Sequence, residues 1–89
     1  MLEVCPSNQF KKDLRKMTKQ GRRLTLLEVV IIQLQNQQQL PQHNRDYILV
    51  GEWRGYRECH IAPDWLLIYK VEQKELKLAR TGSHTELFK

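Results

Sequence analysis

Four polar side chains stand at the margins of apolar runs in the C-terminal half of the chain: His60, Asp64, Arg80 and His84. Cutting RNA without a metal needs these group types. A base takes the proton of the 2′-hydroxyl, an acid supplies one to the departing 5′-oxygen, and a cation meets the charge gathering on phosphorus. The nucleophile belongs to the substrate, so no activated serine or cysteine is required and DNA is spared. Histidine titrates near neutrality, which suits His84 as the acid and His60 or Asp64 as the base. Spacing alone favours a plainer reading, in which these residues cap turns and meet solvent, because clustered polar groups indicate function only statistically. The chemistry therefore depends on elements that bring the four together.

Three runs rich in β-branched, aromatic or aliphatic residues, Tyr56 to Ile61, Trp65 to Val71 and Leu76 to Thr81, read as consecutive strands. Their short connections imply antiparallel pairing. With loops at Ala62 to Asp64 and Glu72 to Lys74, His60 falls opposite Leu66 and Leu66 opposite Arg80, all on one face. His60 and Arg80 are then two strand spacings apart, roughly 10 Å at the backbone. Gly82 offers the chain a place to turn, so that His84 folds over the same end. The run WLLIYKV is apolar almost throughout, as in a central strand covered on both faces.

Upstream, Ser7 is a fitting N-cap, and Phe10, Leu14 and Met17 at helical spacing predict a helix from Asn8 to Gln20, stopped by Gly21. Leu27, Val30, Ile31 and Leu34 predict a second helix from Arg23 to Gln38, with Pro41 barring its continuation. Met1 to Cys5, closed by Pro6, suits an edge strand, and Leu40 to Asp46 link the halves. The order β-α-α-β-β-β describes an α+β fold in which a two-helix hairpin packs on one face of a small, mostly antiparallel sheet.

A length of 89 residues with 40% hydrophobic content supports one modest core, hence a single domain over residues 1–89. The net charge of +5 favours a polyanion or an acidic protein as partner. Lys11, Lys12, Arg15 and Lys16 crowd the first helix with only Asp13 against them, either as a solvated face or as phosphate contacts. Among the aromatics, Trp65 and Phe88 are the residues expected to stack on RNA bases. Cys5 and Cys59 lie far apart and belong to no CxxC pair, so neither a disulfide nor a zinc finger is implied, and two free thiols suit the cytoplasm. Zinc held by His60, Asp64 and His84 is a weak alternative, since Cys59 points to the face opposite His60. No cofactor, signal peptide or membrane span is expected.

The string GEWRGYRECHIAPDWLLIYKV followed by LARTGSHTELF resembles the YafQ branch of the RelE superfamily of toxins, and the similarity runs the length of the chain. The resemblance implies a RelE-like microbial ribonuclease fold and a ribosome-dependent endoribonuclease that cuts messenger RNA in the decoding site. It also implies neutralisation by a cognate antitoxin, with operator DNA bound only through that complex. By the same resemblance His84 is the acid, Arg80 holds the phosphate, His60 and Asp64 assist, and Trp65 and Phe88 shape the substrate site. One departure stands out. Related sequences carry a histidine where this chain has Tyr47, and tyrosine, with an ordinary pKa near ~10, is a poor base at neutral pH. Tyr47 therefore either donates a hydrogen bond to RNA or marks a weakened toxin that acts mainly by binding antitoxin. A gyrase poison of the ParE type is the remaining alternative, and it has no use for the His, Asp, Arg, His set.

Overall fold

Ser7 joins the first strand to the first helix. In the computed structural model, which describes residues 1–88, its Oγ accepts from the Phe10 amide at 2.9 Å and caps α1 (Asn8–Lys19). Gly21 ends that helix as the sequence predicts. At φ +75° it takes the left-handed position, and the amides of Gly21 and Arg22 return to the carbonyls of Thr18 and Met17. Helix α2 (Leu24–Gln35) stops short of the expected Gln38 by the same device without a glycine. Gln37 sits at φ +56°, and the amides of Gln37 and Gln38 bond the carbonyls of Leu34 and Gln33. A glutamine in that position gives the sequence reader no warning.

The sheet has the order β1-β5-β4-β3-β2, built from β1 (Glu3–Pro6), β2 (Tyr47–Ile48), β3 (Arg57–Ala62), β4 (Trp65–Glu72) and β5 (Glu75–Gly82). β1 runs parallel to β5 at one edge, and every other pairing is antiparallel. Strand β2 and a terminal helix α3 (His84–Leu87) are additions to the expected β-α-α-β-β-β order. Two and four residues are too few to show a period.

Helices α1 and α2 cover one face. Cys59, Ile61, Trp65, Leu67, Tyr69, Leu76 and Leu78 are buried there with Phe10, Met17, Leu27, Val30 and Leu34. The opposite face carries a smaller apolar cluster: Leu66, Ile68 and Leu87, flanked by Leu49, Trp53, Tyr56, Ala79 and Phe88. That second cluster explains why Trp65 through Tyr69 are all buried, as the sequence of the central strand requires. Among the described residues, no helix is long and apolar enough to cross a membrane.

Register decides where the polar residues go. His60 pairs with Leu66 as the loop lengths predict, but Arg80 pairs with Ile68, and Gly82 takes the place opposite Leu66. Two single-residue displacements account for the correction. The β4–β5 turn has two residues instead of three, Gln73 and Lys74 at φ +50° and +66°, the twist that a two-residue hairpin favours. A bulge between the Ile68 and Tyr69 pairs, at Ala79, adds the second. One displacement would turn Arg80 toward the helices, and two restore it to the open face.

Candidate active site

β1 accompanies β5 only as far as Leu78, which leaves the rest of β5 with an unpaired edge. Side chains from the start of α1 satisfy it. Ser7 Oγ donates to the Ala79 carbonyl at 2.8 Å, and Asp13 Oδ2 accepts from the Thr81 amide at 3.1 Å. The same Asp13 carboxylate accepts from Arg80 Nε at 2.9 Å and from Nη2 at 3.1 Å. This two-pronged pair fixes the plane of the guanidinium and leaves Nη1 for an incoming anion. Asp13 is only 7% exposed, and its hydrogen bond raises the Arg80 pKa against the opposing pull of burial. The sequence alone shows Asp13 as a stray acid in a basic run, yet its isolation was the available signal.

Helix α3 is held in place by a capping box. Ser83 Oγ accepts from the Glu86 amide at 3.2 Å, while Glu86 Oε1 accepts from the Ser83 amide at 2.8 Å. Lys16 bridges to the other Glu86 oxygen from α1. The hydrogen bond from Lys16, then that from the Ser83 backbone, hold the Glu86 pKa down at about 2. Gly82 suits a tight approach, because a Cβ there would meet Glu86 Oε1 at 3.1 Å and Leu87 Cδ2 at 3.4 Å, so the capping carboxylate would have to give by a few tenths of an ångström. Leu87 seats in the smaller apolar cluster, and His84 is left exposed with its ring 5.1 Å from that of Phe88.

The four residues singled out from sequence lie at one end of the open face. His60, Leu66 and Gly82 form a row across three strands, with Arg80 two residues before Gly82 and His84 two residues after it. Asp64, in the β3–β4 loop, accepts from the His84 amide through Oδ1 at 3.3 Å. His60 Nδ1 is buried without a hydrogen-bond partner among the described residues, so Nε2 is the ring nitrogen turned outward. Asn44, 4% exposed, donates from Nδ2 to the His60 carbonyl at 2.7 Å and ties the preceding loop to the strand. Sequence reasoning also passed over Glu58. It lies two residues before His60 on the same face, in the row Tyr47, Glu58, Ile68, Arg80.

The remaining residues divide. Trp65 does not line the open face. It is 1% exposed in the helix-side core, its Nε1 donates to Thr81 Oγ1 at 2.9 Å, and Arg22 lies over its ring. Strand alternation sends it away from His60 and Leu66, so its part is to pin β4 to β5. Phe88 does border the open face beside His84. Tyr47 is exposed and shares the Arg80 row. Lys11, Lys12, Arg15 and Lys16 are all exposed, but at ~100° per residue Lys11 and Arg15 stand about 160° round the helix from Asp13. Lys16 is the member of that group tied into the site. Among the described residues, the three side chains close enough to share a metal ion are Glu3, Cys5 and Glu75, with ligand atoms within 4.8 Å of one another, on strand segments remote from the His60 row. Among the described residues, His60, Asp64 and His84 form no such group.

Residues 2–89 match the family described as the bacterial toxin of type II toxin-antitoxin systems, YafQ. The mRNA interferase toxin YafQ of Escherichia coli K12 is 39% identical over 83 residues, covering 92% of this chain and 90% of the relative. A copper-bound mutant toxin from Helicobacter pylori superposes with a TM-score of 0.95 at 41% identity, over 99% of this chain and 100% of that one. The E. coli DinJ-YafQ toxin-antitoxin complex matches with a TM-score of 0.90 at 37% identity, over 99% and 98% of the two chains. The chain belongs to the YafQ family of toxins of bacterial type II toxin-antitoxin systems.

Proposed function

We propose that this chain is the toxin of a type II toxin-antitoxin pair and cleaves messenger RNA in the ribosomal decoding site, acting as one unit over residues 1–89. The observation that supports this reading most is the fork of Arg80 held in advance by Asp13, on the strand that runs on through Gly82, in the row of His60, toward His84 and its partner Asp64. A guanidinium fixed in advance stabilises charge that builds on phosphorus without reorganising during the reaction. In the proposed step the 2′-oxygen attacks phosphorus, and His60 or Asp64 takes its proton, with Glu58 a further carboxylate on the same face. The bond to the 5′-oxygen breaks as His84 protonates the leaving group. The products are a 2′,3′-cyclic phosphate and a 5′-hydroxyl. Asp64, engaged with the His84 backbone, positions the acid. Phe88 flanks it and offers a stacking surface.

DinJ is the partner of E. coli YafQ in the solved complex, and a cognate antitoxin is accordingly proposed to cover the cationic surface of this toxin, operator DNA being reached only through that complex. Their association falls steeply with added salt, since exposed charges steer encounter but are screened. The working compartment is the cytoplasm, where messenger RNA and ribosomes are. Mapping the 5′ ends of cellular transcripts after induction tests the cleavage. New ends should accumulate with this chain and vanish with His84→Ala. Growth inhibition that survives both His84→Ala and Arg80→Ala, accompanied by DNA damage, would replace this reading with a gyrase poison.

A further inference from the structure

A cavity of about 560 Å³ opens between the 3-10 turn at Gln42–Asn44 and the end of β3, lined by His43, Arg45, His60, Ile61, Ala62 and Pro63. That volume lies within the range of small-molecule sites. Its lining holds an imidazole and a guanidinium from the turn, the outer end of His60, and an apolar floor, with no carboxylate. Asp46 is the nearest acid in sequence to Arg45, and it is committed elsewhere. It accepts from Arg57 Nε at 3.0 Å and from the Tyr69 hydroxyl at 2.7 Å. Arg45 forms no ion pair among the described residues.

The turn is also held in a costly shape. Arg45 adopts the left-handed conformation, φ +45° and ψ +68°, which disfavours a residue with a Cβ. Such strain persists where the surroundings enforce it, and it gathers at functional sites. Here the enforcement comes from buried Asn44, whose hydrogen bond runs to the carbonyl of His60 itself. The clamp therefore fixes His43 and Arg45 relative to the very residue proposed to meet the cut linkage.

We infer that this cavity is a nucleotide subsite of the RNA track, with a backbone phosphate held by His43 and Arg45 and the sugar or base resting on Ala62 and Pro63. The inference rests on the RNA-cleaving reading, and it extends the track from Arg80 and His84 across His60 to the far edge of the sheet. Tyr47 does not share this cavity. It lines a neighbouring groove with Arg45, Asp46 and Arg57.

The test is binding of an uncuttable 2′-O-methyl hexaribonucleotide, followed by fluorescence anisotropy across a potassium chloride series, with His43→Gln and Arg45→Asn variants. Each variant should raise Kd about fivefold or more. The slope of log K against log salt should shrink by roughly 0.7 for each phosphate of the single strand that the variant no longer neutralises. Asparagine tolerates the left-handed conformation better than arginine, so Arg45→Asn should weaken binding while its melting temperature holds or rises. An unfolding artefact cannot give that combination. Unchanged Kd and slope, weakening only alongside a falling melting temperature, or indifference of the unsubstituted chain to the oligomer would overturn the subsite. Transcript cleavage and its loss in His84→Ala are read separately, so the subsite can fail while the cutting reading stands.

Discussion

Asp13→Asn separates positioning from mere stability. The substitution keeps the size and one acceptor oxygen but removes the charge that holds Arg80 by two hydrogen bonds. Hydrogen bonds to charged groups are worth about 1.5–3 kcal/mol. Breaking a fully buried pair costs about 3–5 kcal/mol, but the Arg80 side chain is 26% exposed and can turn to water. The expected loss is therefore about 2 kcal/mol. With a urea dependence of roughly 1–2 kcal/mol per molar for a small domain, the unfolding midpoint should fall by about 1–2 M. In native buffer the variant remains folded, so its cleavage rate reports on the freed guanidinium. A misplaced catalytic group costs up to ~100-fold, and the loss should appear in kcat more than in KM. Urea unfolding followed by fluorescence, together with cleavage measured at a temperature where both proteins are folded, decides the matter. Wild-type cleavage from a destabilised variant would reduce Asp13 to a structural plug for the strand edge. A variant altered in neither respect would refute the reasoning about the pair altogether.

Glu86 predicts an acid-sensitive tail. Its pKa is held at about 2, below the ordinary 4.5, so its stabilisation is complete above pH 4.5 and fades as pH falls from there toward 2. Because the Lys16 side chain is 59% exposed, the amount is discounted to about 1–2 kcal/mol, and Glu86→Gln should flatten the pH dependence of the melting temperature in that window. Thr81→Val strands the buried Trp65 Nε1 and should cost about 1–3 kcal/mol in urea unfolding, whereas Thr81→Ser should cost less. Tyr47→His should strengthen growth inhibition on induction. Equal toxicity would show that Tyr47 does not limit the activity.

The positions of the helices and the three long strands were legible because each repeats a period over many residues and is punctuated by Ser7, Gly21 or a short turn. The same logic set His60 opposite Leu66 and put the Arg80 side chain on the open face. Its error was local. A two-residue turn and a bulge each move the ladder by one step, and neither Gln73, Lys74 nor Ala79 is of a type that signals this. Trp65 is expected at the substrate, but alternation along β4 turns it to the helix-side core, where it is almost wholly buried. Asp13 and Asn44 were invisible for another reason. Their partners, Thr81 with Arg80 and His60, are 67 or 68 and 16 residues distant, and single-sequence patterns do not record such pairings. The Ser83–Glu86 capping box was present as Ser-x-x-Glu and could have been read.

The bulge at Ala79 gives Arg80 a second task as guardian of strand alignment. Without that extra residue, the two-residue turn would carry Arg80 opposite Leu67, into the layer beneath the helices. An unpaired guanidinium there is strongly unfavourable, so the slipped hairpin is rejected by the charge itself. Replacing Arg80 with an aliphatic residue thus lifts a veto on mispairing as well as removing a cation, and such mutants are ambiguous witnesses to catalysis. Arg80→Lys, which keeps the veto and loses the fork, is the cleaner one.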